Sequence, residues 1–250
     1  MSVTVVGDAF MDIIVPVHDI EPGGTYHRDI LTICGGAATT AIHVARLGEE
    51  ASFVGKVGGD ALGKHFKENL KRNGVRDMTT VDADHGTGLC VSLVYRNGER
   101  SMVACRGAND YLMEADLQNK LGAILKSKII YLSGYLLASP TNDEAILTML
   151  RRSQKRGCQV WFNPGARNII TGLFRDIISQ FVDVLILNLD EARHLSGREK
   201  ILEMAAELGK MVKLVVITLR EEGCLLYKEG QSIMVGCEAL ETTVDTTRCR

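Results

Sequence analysis

The sequence predicts an α/β domain: a three-layer α/β/α sandwich on a mainly parallel sheet, with a small β-sheet beside it. Three observations carry this. Short β-rich runs alternate with helical patterns over most of the 250 residues. Two runs at 88–95 and 100–105 flank Asn97 and Gly98, a pair that favours the tight turn of a β-hairpin. Hydrophobic residues make up 46% of the chain, enough for one sizeable core.

Val3 to Val6 reads as a buried strand ending at Gly7 and Asp8. Residues 37–47 form an Ala-rich helix that stops at Gly48, and Ala51 to Val57 is strand-like. Leu62, Phe66 and Leu70 recur every four residues, which predicts an amphipathic helix ending near Gly74. After the hairpin, alternation resumes with helix 114–126, strand 128–132, helix 141–156 and strand 158–162. It continues with helix 171–180, strand 183–187, helix 198–210 and strand 213–218. Helices following strands at this spacing build βαβ units with both sheet faces covered. A second hairpin is expected over 223–227 and 231–235, around Glu229 and Gly230.

Segment 13–33 interrupts the pattern with Pro16, Pro22, Gly23 and Gly24 among β-prone residues. With the stretch 86–107 it predicts a small sheet inserted in the single domain 1–250. Open α/β sheets bind ligands beyond the carboxyl ends of their strands, and a sheet projecting there suits a lid.

The 29 basic and 31 acidic residues nearly cancel, which leaves no charge footprint for nucleic acid or anionic membrane. The seven cysteines form no C-x-x-C pair and mostly fall in apolar stretches. They read as reduced core residues of a cytoplasmic protein. The short apolar run at Val3 to Val6 meets Asp8 and Asp12 soon after, unlike a signal peptide. No apolar run approaches the ~20 residues that span a bilayer.

Several stretches carry chemistry. Gly35 and Gly36 stand before the first helix, where the backbone can approach a ligand and free N–H groups are available. Asp12 follows the first strand, and a carboxylate there can accept two hydrogen bonds from vicinal hydroxyls. Asp60 reads as an N-cap. Asn163, Pro164, Gly165, Ala166 and Arg167 follow strand 158–162 as either a turn or a ligand contact. Asn188 and Glu191 have capping-box spacing. A carboxylate and an amide at a strand end can also organise waters around Mg²⁺. No P-loop motif and no G-x-G-x-x-G after the first strand is present.

Taken together these stretches resemble the ribokinase-like (PfkB) family of sugar and nucleoside kinases. The Gly35–Gly36 segment continues to Gly48 and Gly58 at the family's N-terminal spacing, with Thr39 where the family has Asn. Residues 55–63 match Gly-x-Val-Gly-x-Asp-x-x-Gly. Asn163 to Arg167 resembles Asp-Pro-Asn-x-Arg with two substitutions, and Asn188 to Glu191 matches Asn-x-x-Glu. Thr218 to Gly223 resembles Thr-x-Gly-x-x-Gly with Arg220 replacing a glycine. Were that position to need a positive φ, Arg would cost about 1–2 kcal/mol.

The resemblance implies ATP-dependent transfer of a phosphoryl group to a hydroxymethyl group. It implies that Asp12, Gly35, Gly36, Thr39 and Arg167 hold the sugar or nucleoside, and that Asn188, Thr218, Arg220 and Gly223 meet the nucleotide. Asn188 and Glu191 would hold Mg²⁺ through water. Lids of this family often pair between subunits, so a homodimer through the β-lid is expected. The family's Asp-Thr-x is followed by Gly-Ala-Gly-Asp, whose Asp is the catalytic base. Here Asp245, Thr246 and Thr247 precede Arg248, Cys249 and Arg250, with no Asp after them. The expectation is a kinase impaired in turnover. The alternative is a catalytically dead sugar- or nucleoside-binding or regulatory protein.

Overall fold

A computed structural model describes residues 1–17, 23–27, 29–97 and 99–237. Pro22, Gly98 and the stretch from Asp245 to Arg250, all used above, lie outside the described residues.

The chain opens with β1 (Ser2–Val6), β2 (Ala9–Pro16), β3 (Leu31–Gly36), α1 (Ala38–Arg46), β4 (Glu50–Val54) and β5 (Lys56–Gly58). Next come α2 (Ala61–Arg72), β6 (Arg76–Asp77), β7 (Thr80–Asp82), β8 (Gly88–Val94) and β9 (Arg100–Cys105). After a 3-10 turn Gly107–Tyr111 follow α3 (Glu114–Gln118), α4 (Leu121–Ile124), β10 (Ile129–Ser133) and α5 (Asp143–Arg156). The remainder is β11 (Gln159–Asn163), α6 (Gly172–Phe181), β12 (Val184–Asn188), α7 (Leu189–Ser196), α8 (Ile201–Leu208), β13 (Leu214–Thr218), β14 (Cys224–Lys228) and β15 (Gln231–Val235).

Among the described residues, nine strands form the main sheet in the order β15-β14-β13-β12-β11-β10-β1-β4-β6. Pairing is parallel except for β14 and β15, which form the expected hairpin at one edge. Strand alternation sends side chains to two cores. Val3, Val5, Phe53 and Ile129 pack with α1 and α2 on one face, around Phe66 and Leu70. Val6, Ile130, Leu132, Val160 and Phe162 pack with α5 to α8 on the other.

Four strands form a second sheet, β3-β2-β8-β9. β2 pairs antiparallel with β3 and parallel with β8. Its first strand starts at Ala9, earlier than the segment from 13 read in the sequence, because the chain passes almost directly from β1 into β2.

Three expected elements differ. The strand 51–57 divides at Gly55: β4 pairs with β1, while β5 leaves the main sheet to pair with β7. The helix 114–126 divides into α3 and α4. Lys120 sits at the break, its ammonium drawn to the Asp116 carbonyl and the Thr80 hydroxyl. The helix 198–210 shrinks to α8, preceded by α7, whose start at Asn188 the capping-box spacing marks.

Candidate functional site

The strands end together. Register pairs Ser133 with Asn163 and Asn188 with Thr218, so residues singled out in the sequence line the carboxyl edge of the main sheet. That edge is where open α/β sheets take ligands.

One half of the site is built from β2, β3 and the start of α1. Ala9 and Met11 are buried, and alternation turns Phe10 and Asp12 to the opposite face. The Asp12 carboxylate lies against the backbone of Gly35, where a Cβ would collide with it. Gly36 has φ +59, and a Cβ there would lie 2.6 Å from the Asp8 carbonyl oxygen. Both glycines are therefore dictated by close approach, and Gly36 also by backbone conformation. The Thr39 hydroxyl donates back to the Gly36 carbonyl at 2.8 Å.

The other half lies over β12 and β13. Asn188 caps α7: its side chain accepts from the Glu191 N–H at 2.9 Å. Glu191 accepts from the Asn188 backbone at 3.0 Å and from its carboxamide at 2.7 Å. The capping box is thus formed, and it holds a buried carboxylate at the strand end. A carboxylate keeps further lone pairs beyond these bonds. One carboxylate and one amide oxygen suit an Mg²⁺ ion that retains its waters. Among the described residues, no cluster of three His, Cys, Asp or Glu side chains offers a direct cage.

The Thr218 hydroxyl lies 3.4 Å from the Leu187 carbonyl. Arg220 is exposed and has φ +55, a left-handed conformation that favours glycine. Gly223 closes the same turn at φ +96, against the backbone of Val235 and Gly236. Arg167 is exposed at the start of a 3-10 turn after β11, beyond the carboxyl end of a main-sheet strand, whereas Asp12 lies on β2 of the second sheet. Asp60 is structural: it caps α2 through the Gly63 N–H and also accepts from the Thr87 N–H and hydroxyl.

Sequence reading missed the residues beneath Asp12. Asp8 is 2% exposed, and its carboxylate faces the two terminal nitrogens of Arg106 at 3.4 and 3.5 Å. The Arg106 Nε also donates to Asp110. Burial pushes the Asp8 carboxyl up to about 6, outweighing the guanidinium beside it. Burial alone would lower Arg106, but Asp8 and Asp110 raise it. Beside this cluster, the buried Asn109 side chain accepts from the Ala9 N–H at 2.7 Å and donates to the Ala9 carbonyl at 3.1 Å. Gly7 and Asp8 mark a strand end in the sequence, but nothing local in residues 106–110 signals a partner in β2.

A fold with this sheet edge, a glycine-lined carboxylate and a capped strand-end carboxylate belongs with the α/β kinases of small hydroxyl compounds. The model of the pfkB family carbohydrate kinases matches residues 1–247, and the chain belongs to that family. It is 30% identical to a ribokinase of Mus musculus over 98% of this chain and 77% of that protein. A ribokinase of Haemophilus influenzae is 26% identical over 97% of this chain and 80% of its own length. Among solved structures, an adenosine kinase from Sinorhizobium meliloti superposes with TM-score 0.89 at 27% identity, covering 98% of this chain and 82% of that one. The expected ribokinase-like α/β fold is confirmed.

Proposed function

We propose that this protein binds a sugar or nucleoside as the acceptor of ATP's γ-phosphate, at a hydroxymethyl oxygen. The observation that carries the reading is Asp12, whose carboxylate is seated on Gly35 beside the start of α1. Charge-assisted hydrogen bonds from vicinal hydroxyls to that carboxylate would hold the acceptor. Gly35, Gly36 and Thr39 would shape the wall around it, and Arg167, beyond β11, would complete the acceptor contacts. Asn188, Thr218, Arg220 and Gly223 would meet the nucleotide. Asn188 and Glu191 would hold Mg²⁺ through water, and the ion would neutralise charge on the phosphates.

The second sheet acts as a lid over the acceptor in this reading. Its outer strands β3 and β9 expose Leu31, Met102 and Val103, which supports pairing of two lids in a homodimer. Sedimentation showing a monomer at high micromolar concentration would refute the dimer. Among the described residues no disulfide links the cysteines, in keeping with the reducing, cytoplasmic setting proposed. No helix among the described residues is long and apolar enough to cross a membrane.

Calorimetry with D-ribose, D-fructose and adenosine tests the acceptor site. Asp12→Ala is expected to weaken binding of the cognate acceptor by about tenfold or more. Equal affinity for both proteins would remove Asp12 from the site. A coupled assay with ATP, Mg²⁺ and the same compounds measures transfer separately from binding.

A further inference from the structure

The two sheets meet where the chain crosses between them. β1 passes into β2 at Gly7 and Asp8, β3 returns to α1 at Gly36 and Ala37, and β8 and β9 enter and leave near Thr87 and Arg106. These crossings are bonded to one another. The Ala37 N–H donates to the Asp8 carbonyl at 3.2 Å, and the Ala108 N–H to the Gly86 carbonyl at 2.8 Å. Most of these ties are backbone bonds or neutral amides. Arg106 is different, because it carries charge across the junction from the end of β9 to the end of β1.

Three features set it apart from a surface ion pair. First, Asp8 is nearly inaccessible, whereas the Arg106 side chain is 22% exposed, so the pair runs from the interior towards solvent. Second, the guanidinium uses three nitrogens on two carboxylates, which fixes its plane. Third, the cluster lies under the acceptor face. Gly36 would strike the Asp8 carbonyl with a Cβ, and the Phe10 ring lies between Gly36 and Gly88. Phe10 and Asp12 stand next along the same strand.

We propose that Arg106 is a positioning residue for acceptor binding: by bridging Asp8 and Asp110, it latches the second sheet onto the floor of the acceptor site. The inference rests on the acceptor reading above. Breaking the latch releases the β9 end and loosens β2 through β8, so Asp12 loses its fixed seat while the β12–β13 edge is untouched. The groups facing Asp8 are Arg106 and Asp110, with Asp12 farther along the strand and Cys90 beside Asp12.

Two measurements test this. Hydrogen exchange at pH 7.5 should accelerate by about tenfold at amides of 88–105 in Arg106→Ala and Asp8→Asn, with β10 to β13 unchanged. Unchanged exchange, or uniform acceleration through both sheets, would overturn the latch. Calorimetry with D-ribose, D-fructose and adenosine should show Arg106→Ala weakening the bound compound by about 10–100-fold, Arg106→Lys less, and ATP not at all. Equal loss of ATP and acceptor, or no rescue by Arg106→Lys, would reduce Arg106 to general stability. Asp12→Ala separates the two ideas. If it binds like wild type, the acceptor reading fails, and the exchange experiment still decides the latch.

Discussion

The carboxylate of Asp12 is seated on the bare backbone of Gly35, one strand over in the antiparallel pair of β2 and β3. The contact ties a glycine to a carboxylate rather than to a turn. Register places Phe10 opposite Gly35 and Asp12 opposite Ile33, so the Asp12 side chain reaches diagonally across the strands.

Gly35→Ala should therefore act on Asp12. The added methyl displaces the carboxylate, while β3 keeps its pairing. Acceptor affinity should fall by about tenfold, and the cooperative unfolding transition should remain. Calorimetry and urea denaturation on the same preparation check this. Undiminished affinity would mean that the acceptor does not depend on the position of Asp12.

Asn109 offers a stability prediction. Its buried carboxamide satisfies both backbone groups of Ala9 and also donates to the Arg106 carbonyl at 2.9 Å. Asn109→Ala strands a buried N–H at the junction of the sheets. The expected loss is about 2–4 kcal/mol, read from urea midpoints at constant slope. A loss below about 1 kcal/mol would show that water reaches Ala9.

Asp8 gives a pH dependence whose sign follows from its raised carboxyl. Its value in the folded protein, about 6, exceeds the ordinary 3.8. The folded state thus binds the proton more tightly than the unfolded chain. The stabilisation is fully present below about pH 4 and is lost as pH rises through 6. Wild type should lose about 3 kcal/mol relative to Asp8→Asn between pH 4 and pH 7. Parallel pH profiles of the two proteins would show that Asp8 is not desolvated. Arg106 offsets part of the cost of burying the ionised carboxylate, but burial outweighs it.

The frame of this fold was legible in the sequence because the central strands β10 to β13 are largely apolar and alternate with helical periods; β6, only Arg76 and Asp77, carries no such signal. The glycines at 35 and 36, Asp12 and the Asn188 box were legible because their spacing is local. The Asp8–Arg106 contact was not, since the partners lie 98 residues apart and meet only where the end of β9 returns to the end of β1. The divided strand 51–57 escaped for a similar reason. Residues on both sides of Gly55 are β-prone, and only tertiary pairing decides that β5 joins β7.

Arg220 supplies the last prediction, since sequence and structure agree on a cost there. It stands where the family has glycine, and it adopts φ +55. A left-handed conformation costs a non-glycine residue about 1–2 kcal/mol. Arg220→Gly should recover about 1 kcal/mol, less the greater chain entropy that glycine loses on folding. The turn is tight: the Leu219 N–H donates to the Gly223 carbonyl at 2.8 Å, and the Gly223 N–H to the Arg220 carbonyl at 3.1 Å. Neither bond needs the Arg side chain, so the fold should survive the exchange. The side chain is exposed at the edge proposed to meet the nucleotide, where a guanidinium can pair with phosphate. Arg220→Gly should then raise stability while weakening ATP binding by several-fold. Greater stability with unchanged ATP affinity would show that the strained Arg serves no nucleotide role.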